Sequence, residues 1–168
     1  MYLPGSHWDC LPWRRIRSWA CLACGECCQR FRPVLSAYEY ALFLRKFGSG
    51  VIEIDSLGNP HLRHVRGRCT FLNSKNLCQL QPLGMKPWVC KLWPFKVSNK
   101  LDPRAEFRYE GREYHIFVDP SCRGVNKGDP QRLPATISEI IDIYHDLSTE
   151  QRYSTSTGLG IPLIQPKE

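Results

Sequence analysis

Four of the nine cysteines lie within eight residues, as Cys21, Cys24, Cys27 and Cys28. Two thiols separated by two residues can point at one metal, because the backbone turn between them brings both sulfurs to the same side. The overlapping spacing of Cys21, Cys24 and Cys27 is typical of the run that binds three irons of a four-iron cluster. The stretch therefore predicts a metal–sulfur centre.

Four more cysteines are widely spaced along the chain, each beside turn or aromatic residues: Cys69, Cys78, Cys90 and Cys122. Cys10 stands apart from both sets and is interpreted as a spare thiol. Because adjacent side chains diverge, Cys27 and Cys28 are expected to face two centres, or to divide so that one binds and the other bridges or reacts. Two four-thiolate sites that share the first set are the simplest arrangement, and a single site using four of the eight thiols is the alternative.

Four thiolates suit both zinc and iron–sulfur clusters. The three-cysteine spacing favours one or two iron–sulfur clusters, with zinc as the alternative. Five aromatic residues are expected to surround the centre: Phe31, Phe71, Trp88, Trp93 and Phe95. A further alternative is that any metal only stabilises the fold.

The composition fits one compact domain of 168 residues. No apolar run is long enough to cross a bilayer, and residues 1–12 lack the apolar core of a secretory signal. A cytoplasmic protein keeps its thiols reduced, so the nine cysteines favour metal ligands over disulfides.

The net charge of +7 allows nucleic-acid binding through Arg14, Arg15 and Arg17. The excess positive charge would also balance bound thiolates, and we favour that explanation.

Two helices are predicted to position these cysteines. Ser36 and Glu39 form a capping-box pattern that opens a helix over 37–47, which Gly48 ends. Thr136 and Glu139 form a second such pattern, which predicts a helix from there to about Leu147.

Strands are expected at 51–55 and 61–65, joined by a turn, and at 105–109 and 114–118, joined by another. The fold class is therefore α+β: a small single domain with an irregular, cysteine-rich, metal-stapled core, short antiparallel hairpins and two or three helices. The predicted boundaries are an N-terminal arm over 1–20, a cysteine-cluster domain over 21–150 and a C-terminal tail over 151–168.

The cysteine pattern resembles the YkgJ-type cysteine-cluster family of zinc- or iron-chelating domains, which is related to the cysteine domain of flagellin lysine-N-methylases. The opening C-x-x-C-G-x-C-C motif is matched at every defined position by Cys21, Cys24, Gly25, Cys27 and Cys28. Later blocks of the family are matched by 68–72 with Cys78, by 86–95 around Cys90, and by 119–124 around Cys122. The resemblance covers about 21–128 and implies metal chelation.

Lys86 and Lys91 stand where the family pattern has arginines. Lysine cannot make the planar two-pronged hydrogen bond of arginine, so a role in holding a carboxylate or substrate anion would be lost here. A role in balancing thiolate charge would be kept.

These observations predict a metal-binding protein that serves in electron transfer, metal handling or support of protein modification, with a protein partner. Two other functions stay open at this point. One is a methyl- or sulfur-transfer enzyme that uses the cluster or a free Cys27 or Cys28 thiol. The other is a zinc module that binds nucleic acid.

Overall fold

The computed structural model of the chain describes residues 10–146 and 149–155. The described residues form an α+β domain, as the sequence predicts, with four α-helices and several short antiparallel strand pairs. Residues 1–9 of the predicted arm, residues 156–168 of the predicted tail and Leu147 lie outside the described residues.

The strands and helices follow one another in a simple order. The strands are β1 (Leu11–Pro12), β2 (Ile52–Ile54), β3 (Pro60–Leu62), β4 (His64–Val65), β5 (Arg68–Cys69), β6 (Phe95–Ser98), β7 (Glu106–Tyr109) and β8 (Arg112–Val118). The helices are α1 (Cys27–Arg30), α2 (Ala37–Phe47), α3 (Trp88–Leu92) and α4 (Leu133–His145). Helices α1 and α3 are single turns, so most of the cysteine-rich chain is irregular.

Strand β8 is the centre of the larger sheet. It pairs antiparallel with β1, β6 and β7. The predicted hairpin at 105–109 and 114–118 is confirmed as β7 and β8. Ile116 and Val118 of β8 are fully buried against Ile137, Ile140 and Ile141 of α4, which form the first hydrophobic core.

A second hydrophobic core lies on α2 and the small hairpins. Phe43 of α2 is 1% exposed and packs against Phe71, with ring centroids 5.7 Å apart. Leu62 and Leu80 complete the centre of this core. The molecule thus contains two separate apolar clusters within the described residues.

Helix α2 forms as the sequence predicts. The Ser36 side chain accepts from the backbone N–H of Glu39, and the Glu39 carboxylate accepts from the backbone N–H of Ser36 at 2.8 Å. Gly48 ends the helix with a φ of 77°, a conformation that glycine adopts without strain.

The predicted capping box of α4 is wrong. The helix begins three residues earlier, at Leu133, after a short 3₁₀ turn over Pro130–Arg132. The Thr136 hydroxyl donates to the carbonyl of Arg132 at 3.0 Å, and the Glu139 carboxylate binds a distant segment. Long-range contacts therefore override the local pattern at this helix.

The predicted pairing of 51–55 with 61–65 is correct only in part. Strands β2 and β3 pair, but His64–Val65 pairs instead with Arg68–Cys69. The turn between β4 and β5 is made by Arg66 and Gly67, which both have positive φ, and this geometry suits a tight two-residue hairpin.

Candidate metal centre

All eight cysteines that the sequence predicts as ligands line one cavity of about 480 Å³. They are Cys21, Cys24, Cys27, Cys28, Cys69, Cys78, Cys90 and Cys122. Cys10 lies outside this lining, and none of the nine cysteines forms a disulfide. The fold therefore brings two sets of cysteines that are well separated in the sequence to one place.

The cavity lies between the two hydrophobic cores. Cys21 and Cys122 pack against the first core. Cys69 belongs to the second core, and Cys28 and Cys78 pack against it. The thiols therefore approach the cavity from two sides.

The first side is built by pairing the chain before Cys21 with the chain after Cys122. The backbone N–H of Ala20 donates to the carbonyl of Gly124 at 3.1 Å, and Trp19 forms a bridge with Val125. A Cβ at Gly124 would lie 2.0 Å from the carbonyl oxygen of Ala20, so no other residue allows this approach. The pairing sets Cys21 beside Cys122.

Trp19 makes a direct contact with a candidate ligand. Its indole N–H donates to the Cys122 sulfur at 3.4 Å. Burial raises the pKa of the Cys122 thiol, and the Trp19 hydrogen bond partly opposes that rise. Burial also raises the pKa of Cys21. A bound metal would favour the deprotonated form of both thiols.

The second side is built by close contact between the loop before α1 and the turn before Cys78. Gly25 has a φ of 73°, and a Cβ there would lie 2.9 Å from the carbonyl oxygen of Asn76. Glycine adopts this positive φ without strain. A bridge between Leu72 and Cys78 folds the turn back, so that Cys69 and Cys78 reach the same side of the cavity.

Cys27 and Cys28 do not diverge as predicted. Their sulfurs are 4.0 Å apart. Both residues lie in the single helical turn of α1, where successive side chains are about 100° apart rather than on opposite faces as in a strand. Cys28 also hydrogen-bonds to Cys78. The three sulfurs therefore form one contiguous thiol group.

Hydrogen bonding within this thiol group shifts the pKa values of its members in opposite directions. The hydrogen bonds that Cys28 shares with its two neighbours lower the pKa of Cys27 to about 7 and that of Cys78 to about 6. The same hydrogen bonds raise the pKa of Cys28. These contacts favour the thiolate form at Cys27 and Cys78, which is the form that binds metals.

Cys90 enters the cavity from α3. Two contacts position this helix: the backbone N–H of Trp88 donates to the Glu39 carboxylate at 2.6 Å, and its indole N–H donates to the carbonyl of Ile143 at 3.0 Å. Burial raises the pKa of Cys90 well above its usual range, and burial likewise raises that of Cys69.

Lys86 is a positive charge in the cavity wall. Its charge favours the thiolate form of Cys21, Cys27, Cys78 and Cys90. Lys91 lies outside the lining and donates to the carbonyl of Thr149 at 3.3 Å. The two lysines that replace family arginines therefore have different surroundings.

The predicted aromatic shell is correct only in part. Phe31 and Trp93 line the cavity and stack with ring centroids 5.3 Å apart. Phe71, Trp88 and Phe95 pack in or against the two cores instead. Periodicity and proximity in sequence could not separate these two roles.

Ser121 and Thr155 also line the cavity, and sequence reasoning missed both. Ser121 precedes Cys122, so its position was a usable signal. Thr155 lies 33 residues after Cys122, and the sequence carries no pattern that would connect the two.

The chemistry of the donor set fits a metal–sulfur centre, because eight soft thiols share one cavity. Within residues 10–146 and 149–155, the Cys, His, Asp and Glu side chains do not form a group of three or more that could hold one ion as they stand. What the described structure provides is a shared cavity lined by thiols, with Lys86 supplying positive charge.

Within the described residues, the structure contains no helix that is both long and apolar enough to span a membrane. No curated protein and no solved structure gives a significant match to the chain. One family model does match, over residues 20–122, which is more than half of the chain. That region begins just before Cys21 and ends at Cys122, so it contains all eight cysteines of the cavity. The chain therefore belongs to the CxxCxxCC family, which is described as a "putative zinc- or iron-chelating domain".

Proposed function

We propose that this chain is an iron–sulfur protein that holds its metal through the eight thiols of the cavity. The observation that carries the proposal is the convergence of both cysteine sets on one cavity of about 480 Å³. A single water occupies about 30 Å³ of liquid, so this volume leaves room for centres of several atoms.

Two centres fit the distribution of the thiols better than one. Cys21 and Cys122 lie against the first core, whereas Cys28, Cys69 and Cys78 lie against the second. The opening motif contributes to both sides, as expected if two four-thiolate sites share it. Zinc is the alternative metal, because four thiolates also suit it.

An iron–sulfur centre would supply one-electron transfer. The role that we propose is electron transfer or metal handling in support of a partner protein, in a reducing compartment such as the cytoplasm. The absence of disulfides among the nine cysteines supports such a compartment. The Arg14 guanidinium has contacts within the chain, since it donates to the carbonyl of Glu106 at 3.3 Å and lies over the ring of Trp13.

Anaerobic purification, followed by metal and sulfide analysis and a visible absorption spectrum, tests this proposal. We expect a brown protein that contains iron and acid-labile sulfide. Colourless protein with stoichiometric zinc after anaerobic reconstitution would contradict the iron–sulfur assignment. Protein that retains neither metal would contradict metal binding altogether.

Three cysteine variants test the arrangement of the centres. Cys122→Ser removes a thiol from the first side, and Cys69→Ser removes one from the second. If there are two centres, each variant loses about half of the iron. If all iron is lost from both variants, one centre is shared. Cys10→Ser is the matched control and keeps the full metal content, because Cys10 lies outside the lining.

A further inference from the structure

Two hydroxyl groups in the cavity wall have no hydrogen-bond partner among the described residues. Among the described residues, the buried side-chain polar atoms without a partner are His64 Nε2, Ser121 Oγ and Thr155 Oγ1. Ser121 and Thr155 both line the cysteine cavity. A buried hydroxyl without a partner costs about 1–3 kcal/mol, so such an atom needs an explanation.

Thr155 is fixed in position by other residues. It ends the strap, which we define as residues 149–155, and it is 5% exposed. The buried carboxylate of Glu139 on α4 accepts from three consecutive backbone N–H groups of the strap, those of Arg152, Tyr153 and Ser154.

The side chain of Gln151 gives the strap a second attachment. Its amide donates to the carbonyl of Lys91 and to the carbonyl of Ser154, both at 3.0 Å. Neighbouring residues therefore hold the strap in place, and the Thr155 hydroxyl is left available.

Ser121 is fixed in a similar way. Its backbone N–H donates to the buried Asp119 carboxylate at 2.8 Å, while its hydroxyl stays unpaired. The neighbouring Cys122 sulfur already accepts the indole N–H of Trp19. The surroundings of Cys122 therefore combine an N–H donor with a nearby O–H donor.

We propose that the hydroxyls of Thr155 and Ser121 donate hydrogen bonds to sulfur atoms of the metal–sulfur centre. The inference rests on the proposed function, since the acceptors are sulfurs of the bound centre. Hydroxyls donate readily, and eight cysteine sulfurs line this cavity. Hydrogen bonds to ligand sulfurs tune metal affinity and reduction potential.

Thr155 lies outside the region that the family model matches. This contact would therefore be a contribution to the centre from residues that follow the matched domain. Helix α4 would then have a second role besides covering the sheet, because its Glu139 holds the strap that places the Thr155 hydroxyl beside the metal centre.

The test uses the metal-loaded full chain and compares wild type with Thr155→Val and Ser121→Ala. Metal content is measured first, then the rate of metal loss to a chelator, and circular dichroism verifies the fold. We expect each variant to bind metal but to lose it about 10-fold faster, the lower end of the effect of removing an outer-shell partner. Thr155→Ser keeps a hydroxyl and is expected to restore slow release.

Thr149→Val is the matched control. It makes the same chemical change in the same strap, but Thr149 does not line the cavity. If Thr149→Val accelerates release as much as Thr155→Val does, the effect is loosening of the strap and the inference is wrong. If Thr155→Val and Ser121→Ala release metal at the wild-type rate, the inference is also wrong, while metal binding stands. If wild type binds no metal, the proposed function itself fails. Should Thr155→Val not fold, Ser121→Ala and Thr155→Ala, which also lacks the hydroxyl, decide the question.

Discussion

Lys86 shows how one side chain can serve a cluster of thiols. Its charge acts on Cys21, Cys27, Cys78 and Cys90, which come from three different segments of the chain. A point charge is sufficient for this effect, whereas recognition of a carboxylate would call for the planar fork of arginine. The surroundings of Lys86 therefore explain why lysine can stand in this position.

Replacing Lys86 with methionine is expected to raise the pKa of Cys27 and Cys78 above their values of about 7 and about 6. Removing a nearby positive charge disfavours the thiolate, so the thiols should react at higher pH. The pH dependence of alkylation in metal-free protein measures this shift. Lys86→Arg should match wild type, because it keeps the charge.

Lys75→Met provides the control for that experiment, since Lys75 is exposed and lies outside the cavity lining. An unchanged pH profile for Lys86→Met would show that the charge of Lys86 does not act on these thiols.

At the scale of elements, one buried carboxylate joins two helices. Glu39 accepts from Ser36 through one oxygen, which completes the capping box of α2. Through its other oxygen it accepts the backbone N–H of Trp88, at the start of α3. Because α3 carries Cys90, the position of this thiol depends on a residue of α2.

Glu39→Gln is expected to lower the free energy of unfolding by about 1–3 kcal/mol, the usual cost of leaving a buried polar group unpaired. Glutamine offers one acceptor oxygen, and its amide would face one of the two N–H donors. Urea unfolding of the metal-loaded protein measures the change. Ser36→Ala removes only the cap of α2, so it should cost about 1 kcal/mol. Equal losses for the two variants would contradict the link to α3.

The two α-helical capping patterns show why local sequence predicts some elements and misleads for others. Ser36 and Glu39 satisfy each other within one turn, so the pattern is sufficient to place α2. Glu139 has the same sequence relation to Thr136, but its carboxylate binds residues 152–154. No local pattern shows such a partner.

For the candidate site, the sequence likewise predicted some features and missed others. Type and spacing identified the eight cysteines that line the cavity. The 4.0 Å separation of the Cys27 and Cys28 sulfurs was not predicted, because it depends on the single turn of α1. Thr155 could not be predicted either, since it reaches the cavity through the attachment of the strap to Glu139.

At the scale of the whole molecule, the cavity separates two hydrophobic cores. A structural zinc site can contribute about 10–16 kcal/mol to folding, as much as the entire stability of an ordinary domain, about 5–15 kcal/mol. A centre that binds thiols from both sides would therefore join the two cores into one cooperative unit.

Metal removal is expected to uncouple the two cores. Hydrogen exchange should show similar protection around Ile116 and around Phe43 in the metal-loaded protein. After chelation, the core around Phe43 should exchange first, because its strands have only two or three residues. Readdition of metal is the control and should restore protection. Identical protection with and without metal would show that the centre does not join the cores.

The region of homology is smaller than the unit that folds. The family match ends at Cys122, yet Ile116 and Val118 of β8 are buried against α4, which begins at Leu133. Strand β1, which pairs with β8, precedes the match. A fragment cut at the limits of the match would keep every candidate ligand and leave the apolar face of its own sheet uncovered. For this chain, the limits of the family match are therefore unsuitable as the ends of an expressed fragment.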